Sequence, residues 1–323
     1  MNKNSRNTHS NSGALGIFFI LLAGTCWGSI GIFVRRFNAL NLVSMDIVAV
    51  RSVFTVIFMA IFLAIYDKKL LKIRFRDIWC FIGTGIISMV FFNYCYFRLI
   101  EISSLSVAAV MLYTAPVFVM LMSAVLFHEK ITPVKVIALI ATFVGCCCVT
   151  GVVGSSVHLS LPAILLGLGA GLGYALYSIF GRFALERGYH SFTINLYTFL
   201  FATLACAPLV DIGKIFSVCT SSVSMGVFSV LCGLITTVIP YITYNFGLAG
   251  VETGKAAIIA SIEPVVATLI GVFVFHENLT TGNVIGIALV LAAIVMCNLP
   301  GRETGSVRNK PAGKETGCDG LSA

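Results

Sequence analysis

The sequence predicts an all-α polytopic membrane protein of ten transmembrane helices, arranged as two inverted five-helix repeats. Composition, charge placement and an internal repeat carry that expectation. Of 323 residues, 58% are hydrophobic and only 11% are charged. A soluble domain carries roughly 25% charged residues to face water, so lipid must be the solvent for most of this surface. The net charge of +8 does not point to nucleic acid, because no basic helix or basic stripe interleaved with aromatics is present.

Ten apolar stretches follow one another at approximately 15–34, 42–65, 79–98, 105–126, 133–152, 162–181, 191–210, 223–246, 256–275 and 282–299. Each is near the ~20 residues a bilayer-spanning helix needs. Short turns with Gly, Ser, Asn, Pro or charge separate them, leaving no room for a soluble catalytic domain. Leu22-Ala23-Gly24-Thr25-Cys26 puts its cysteine one position too late for a lipoprotein cleavage site, so the first stretch reads as a retained helix. Residues 1–13 read as a cytoplasmic tail, 14–153 and 161–300 as the two five-helix units, and 301–323 as a disordered cytoplasmic tail.

Basic residues set the orientation. With the N-terminus inside, sixteen of the twenty-one Lys and Arg fall in inside segments and four (Arg35, Arg36, Arg98 and Lys214) fall outside, while Arg51 lies within the second helix. That bias fits an even number of spans, a cell-membrane location and both termini in the cytoplasm. The eleven cysteines lie mostly inside apolar runs, and Cys146, Cys147 and Cys148 fan around one helix. No paired CxxC set occurs, so neither a metal site, a disulfide framework nor a cofactor is expected.

Shifting Ala108–Gly145 by 148 positions lays it without gaps on Ala256–Ala293, with eleven of thirty-eight positions identical, among them Pro116/Pro264, His128/His276, Glu129/Glu277 and Thr132/Thr280. A shift of 147 pairs Ala23/Ala170, Gly24/Gly171, Ile32/Ile179, Phe33/Phe180 and Arg35/Arg182. Five helices per half is an odd number, so the second copy enters the membrane from the opposite side. Inverted repeats are the usual architecture of secondary carriers, because two copies of one unit can exchange inward-open and outward-open shapes.

Glu263 lies roughly ten ångströms into the ninth stretch at 1.5 Å per residue, where a carboxylate must be protonated, partnered or functional. Pro264 and Pro116 have no N–H, so they kink their helices and leave the carbonyls of Ala260 and Leu112 without that donor. Asp46 reads as a wetted helix start, and Arg51, deeper, as an ion-pair or cavity residue. Trp27, Tyr113 and Tyr177 sit too deep for an interfacial aromatic belt; with Tyr96, Tyr244, Arg51 and Glu263 they are the candidate substrate-binding residues. The His-Glu pairs at 128/129 and 276/277 lack the second histidine of a metalloprotease helix and read as helix ends, with Thr132-Pro133 as N-cap and first helical residue.

Taken together, Trp27-Gly28-Ser29, Arg51, Ala115-Pro116 with Glu129, and Glu263-Pro264 with Glu277 resemble the EamA-type carriers of the drug/metabolite transporter superfamily. The resemblance implies a ten-helix fold with a central cavity, a supporting or dimer-prone core from helices four, five, nine and ten, and alternating access. It implies carriage of small metabolites, amino acids or amphipathic compounds, by a monomer or homodimer. No GxxxxGK[ST] loop for ATP is present, so the driving force is a substrate gradient or protons. A channel or non-transporting sensor is the alternative, and an intramembrane enzyme lacks a convergent nucleophile or metal cluster. Ala115 stands where the second copy has Glu263, so two equivalent ion sites are not expected.

Overall fold

A computed structural model describes residues 3–151 and 160–298, which are helical with no strand among them. The tail expected over 301–323 lies outside the described residues. Among the described residues, nine helices are long and apolar enough to cross a membrane: α1 Gly13–Asn38, α2 Ser44–Tyr66, α3 Phe75–Ile102, α4 Ser106–Leu126, α6 Leu161–Glu186, α7 Ser191–Leu209, α8 Val223–Gly250, α9 Thr253–Phe275 and α10 Thr281–Asn298. The fifth apolar stretch forms a shorter helix, α5 Pro133–Val149, about 26 Å long at 1.5 Å per residue. Thr132 caps it by accepting from the Lys135 N–H, with Pro133 in its first turn, as the sequence predicts.

Boundaries differ from the sequence reading in three ways. Helix begins at Lys3 rather than near residue 14, since extending a formed helix costs far less than starting one. A short helix, Ile212–Cys219, capped by Asp211, fills the connection between α7 and α8. Several stretches expected to run unbroken are interrupted: α1 at Ser29, α4 at Tyr113-Thr114 and α9 at Ser261-Ile262. The last two breaks lie immediately before Ala115-Pro116 and Glu263-Pro264, where a proline in the following turn cannot supply the N–H that would continue the ladder. In α3 and α8 the turns over Gly83–Val90 and Leu234–Val238 widen to π-helix, a geometry concentrated at functional sites.

Packing crosses between the two parts of the chain. α1 lies on α8 and α9, α6 lies on α3 and α4, α2 pairs with α7, and α5 with α10. Close approach at the breaks depends on glycine. A Cβ on Gly24 would stand 2.4 Å from Ile262 Cγ2 and 3.0 Å from the Ala260 carbonyl; one on Gly171 would stand 2.1 Å from Thr114 Oγ1 and 3.1 Å from the Met111 carbonyl. α1 and α6 thus seat their glycines on the breaks of α9 and α4 in the same way.

Polar ties gather at one end of the bundle. Asp77 there accepts from Arg74 at 2.9 Å, Arg187 at 3.1 Å and the Tyr189 hydroxyl at 2.8 Å. Lys135 meets Glu252 at 2.5 Å, and Arg182 donates to the Leu248 carbonyl at 2.7 Å. At the opposite end, between the finish of α1, the start of α2 and the finish of α3, a depression of about 470 Å³ is lined by Asn38, Asn41, Ser44, Phe97 and Glu101 among others.

Candidate functional site

The interrupted helices meet at the middle of the bundle around a small cavity. Trp27 reaches it from α1, Ser88 and Met89 from the widened part of α3, Phe92 from the α-helical turn after it, and Tyr113 and Pro116 from the break in α4. Tyr174, Tyr177 and Ser178 come from α6, Tyr241 and Tyr244 from α8, and Ala260, Ser261 and Glu263 from the break in α9. Tyr174/Tyr177 and Tyr241/Tyr244 are each three residues apart, which puts both rings of a pair on one helix face. About 30 Å³ is open to the centre of a water molecule, room for one or two waters.

The walls are mostly aromatic. Trp27 packs edge-on to Tyr241 at 5.1 Å between centroids and to Tyr174 at 6.4 Å, and Tyr177 packs edge-on to Tyr241 at 4.8 Å. Tyr177 accepts from Asn245 at 2.8 Å, and the Tyr244 and Ser178 hydroxyls share a hydrogen bond of 2.7 Å. Glu263 begins the second segment of α9, so its charge faces the positive end of that helix. Its carboxylate accepts from the Tyr174 hydroxyl at 3.2 Å. Trp27 Nε1 is buried with no hydrogen-bond partner.

Five of the seven residues singled out in the sequence, Trp27, Tyr113, Tyr177, Tyr244 and Glu263, line this one cavity, together with the kink residue Pro116. Pro264 is buried beside it without lining it. Tyr96 stands one ring back, 5.7 Å from Phe92. Arg51 is buried in α2, in the wall between α2 and α8; its Nε is without a partner and no described salt bridge includes it. Asp46 accepts from the Val43 N–H at 3.1 Å and so holds the start of α2.

Tyr174 and Tyr241 belong to the tyrosine clusters of the sixth and eighth stretches but not to the candidate substrate-binding set, although their three-residue spacing to Tyr177 and Tyr244 places them on the same faces. The part played by α3 had no signal, since a π-turn leaves no mark in hydropathy. His128 and His276 both adopt a left-handed conformation, with φ of 55°. The next N–H, of Glu129 or Glu277, returns to Ser123 or Gly271, the closing bond of a helix C-terminus. Among the described residues no cluster of His, Cys, Asp and Glu is arranged to hold a metal ion.

The EamA-like transporter family matches residues 14–151 and 161–299. An uncharacterized transporter of Archaeoglobus fulgidus is 26% identical over 85% of this chain and 95% of its own length. Another from that organism is 28% identical over 62% of this chain and 70% of its own. The uncharacterized transporter YxxF of Bacillus subtilis is 24% identical over 89% of this chain and 90% of its own. One crystal structure superposes with a TM-score of 0.70, covering 90% of this chain and 97% of that one at 17% identity, which shows the same fold. The chain belongs to the EamA-like transporter family and is a multi-pass membrane transporter.

Proposed function

We propose that the protein is a secondary carrier of small metabolites, amino acids or amphipathic compounds, working by alternating access between two inverted five-helix repeats at 14–153 and 161–300. In this reading it sits in the cell membrane with both termini cytoplasmic, as a monomer or homodimer, and Glu263 is the group that takes a proton or the substrate's charge.

The observation that carries the reading is a pair of counterparts in unlike states. Glu129 accepts from the Thr253 and Gly254 N–H groups, sealing the end of α4 to the start of α9. Its counterpart Glu277, 148 residues on, pairs with Arg35 instead. The breaks of α4 and α9, the π-turns of α3 and α8 and the glycine seats of α1 and α6 correspond, yet the contacts at the two ends do not: Glu129 joins α4 to α9 at one end, and the other has the Arg35–Glu277 pair and the depression of about 470 Å³. A machine of two equivalent units resting in one of its two states has this form. In the opposite state Glu277 takes the role of Glu129, at the N–H groups of Leu105 and Ser106. With the termini inside, the end that Glu129 seals is the cytoplasmic one in this reading. The central space of about 30 Å³ is too small for a metabolite, so a carried molecule needs the helices to part.

Reconstitution tests this. Liposomes holding the protein, loaded with a metabolite extract, should release a few compounds saturably, and faster when the same compounds are supplied outside. Unsaturable flux without that stimulation would establish a channel, and no flux of any compound a sensor.

A further inference from the structure

We propose that the central cavity binds small organic cations, with the ammonium group against Glu263 and among the aromatic faces. The inference rests on reading this cavity as the place where the carried molecule sits.

Among the described residues lining the cavity, Glu263 is the one side chain of formal charge; the others are apolar, hydroxyl-bearing or aromatic. Its carboxylate has acceptor positions for about four donors, and Tyr174 supplies one hydrogen bond. Arg51 is kept out of the lining, and no described salt bridge joins it to Glu263. A carboxylate in such surroundings needs a counter-charge. The cavity leaves that role to a proton or to a cationic ligand.

The walls favour the cation further. Trp27, Tyr174, Tyr177 and Tyr241 all line the cavity and pack edge to face on one another, and a cation seated over an aromatic face is attracted by the negative part of its quadrupole. The first segments of α4 and α9 end there, at Leu112 and Ala260, both in the lining. Helix C-termini present partial negative charge, and Pro116 and Pro264 cannot donate to the carbonyls of these residues. The second segments of α4 and α9 begin at the same place, at Ala115 and Glu263, so the helix ends offset one another, and what an anion would meet is the Glu263 carboxylate with no cation among the described lining residues. A neutral ligand would leave Glu263 to be neutralised by a proton alone. The buried Trp27 N–H lacks an acceptor, which a water or an oxygen atom of the ligand would supply.

Trp27 makes the site observable. The chain has two tryptophans, and Trp79 packs on Phe180 and Phe183 at the beginning of α3, away from the cavity lining. In a Trp79→Phe background, emission reports on Trp27 alone. Titration with benzyltrimethylammonium should change that emission saturably, while 3-phenylpropionate, an anion of similar size, should neither change it nor compete. Glu263→Gln should weaken cation binding at least tenfold. Should that variant fail to fold, Tyr241→Leu should weaken binding and Tyr241→Phe should keep it, because the ring face is the determinant. Equal binding of the anion, or undiminished cation affinity in both Glu263→Gln and Tyr241→Leu, would overturn the proposal. The liposome exchange assay separates the two readings: exchange of other compounds without cation binding removes the cation site and leaves the carrier. Cation binding with no exchange of any compound leaves the site and removes the carrier.

Discussion

The Glu129 carboxylate, at the end of α4, accepts hydrogen bonds from the Thr253 N–H at 2.6 Å and from the Gly254 N–H at 3.0 Å, so it caps α9 from another helix. No side chain of α9's own N-cap, Glu252, does so. At the matching place in α4, Ser104 caps its own helix by accepting from Val107. The inter-helix cap therefore holds the start of α9 against the end of α4.

Glu129→Ala removes two charge-assisted hydrogen bonds, each worth about 1.5–3 kcal/mol, and should lower the melting temperature in detergent by roughly 6–12 °C. Glu277→Ala removes a pair with Arg35 in which both side chains are about half exposed; such pairs contribute about 0–1 kcal/mol. The two variants should differ clearly in thermal unfolding, and equal losses would contradict the asymmetric closure.

Close packing of α5 on α10 gives a second prediction. A Cβ at Gly286 would stand 2.5 Å from the Gly145 carbonyl and 2.7 Å from the Val149 nitrogen, both backbone atoms. Gly286→Ala must push the helices apart and should cost about 1–3 kcal/mol. Gly31, with nothing within 4 Å of its Cβ position, is the matched control: Gly31→Ala should be neutral or stabilise by up to ~1 kcal/mol. Denaturation of the two variants in the same detergent checks the contrast.

Glu263→Gln keeps size and shape and lets the Tyr174 hydroxyl still donate to the side-chain oxygen. Folding should be preserved, while the pH dependence of transport flattens, because the titrating group is gone. Flux measured across a pH series in liposomes decides it, and an unchanged profile assigns Glu263 to structure alone.

His190 links stability to pH. Its Nδ1 accepts from the Phe192 N–H at the start of α7, at 3.3 Å, and burial holds its pKa below the ordinary histidine value. Folding therefore favours the neutral ring. That stability is fully present above the unfolded value of about 6.5 and is lost as pH falls below it towards the folded value, since the protonated nitrogen cannot accept. His190→Asn supplies a cap that does not titrate. Melting curves from pH 5 to 8 should show the wild type losing more stability than His190→Asn on the acid side, with the two parallel above neutrality.

Much of this was legible in the chain because bilayer physics is severe. Apolar length and scarce charge located the helices, and Pro116 and Pro264 marked the interruptions in α4 and α9. Trp27, Tyr113, Tyr177, Tyr244 and Glu263 stood out because polar and aromatic groups at that depth need a reason to be there. Tyr96, a candidate from the aromatic cluster of the third stretch, falls one ring outside the lining, since position along a helix does not say which way a side chain faces.

The sequence by itself determined the class of the molecule, its apolar helices and the repeat of its motifs, because these depend on local composition and spacing. Tertiary structure alone decided which helices cross, that Arg51 stays behind the cavity wall, and that Glu129 and Glu277 take different partners. Those outcomes depend on how far apart helix ends stand in one particular packing. Two residues with the same sequence surroundings meet different neighbours, Glu129 the N–H groups of Thr253 and Gly254 and Glu277 the Arg35 guanidinium.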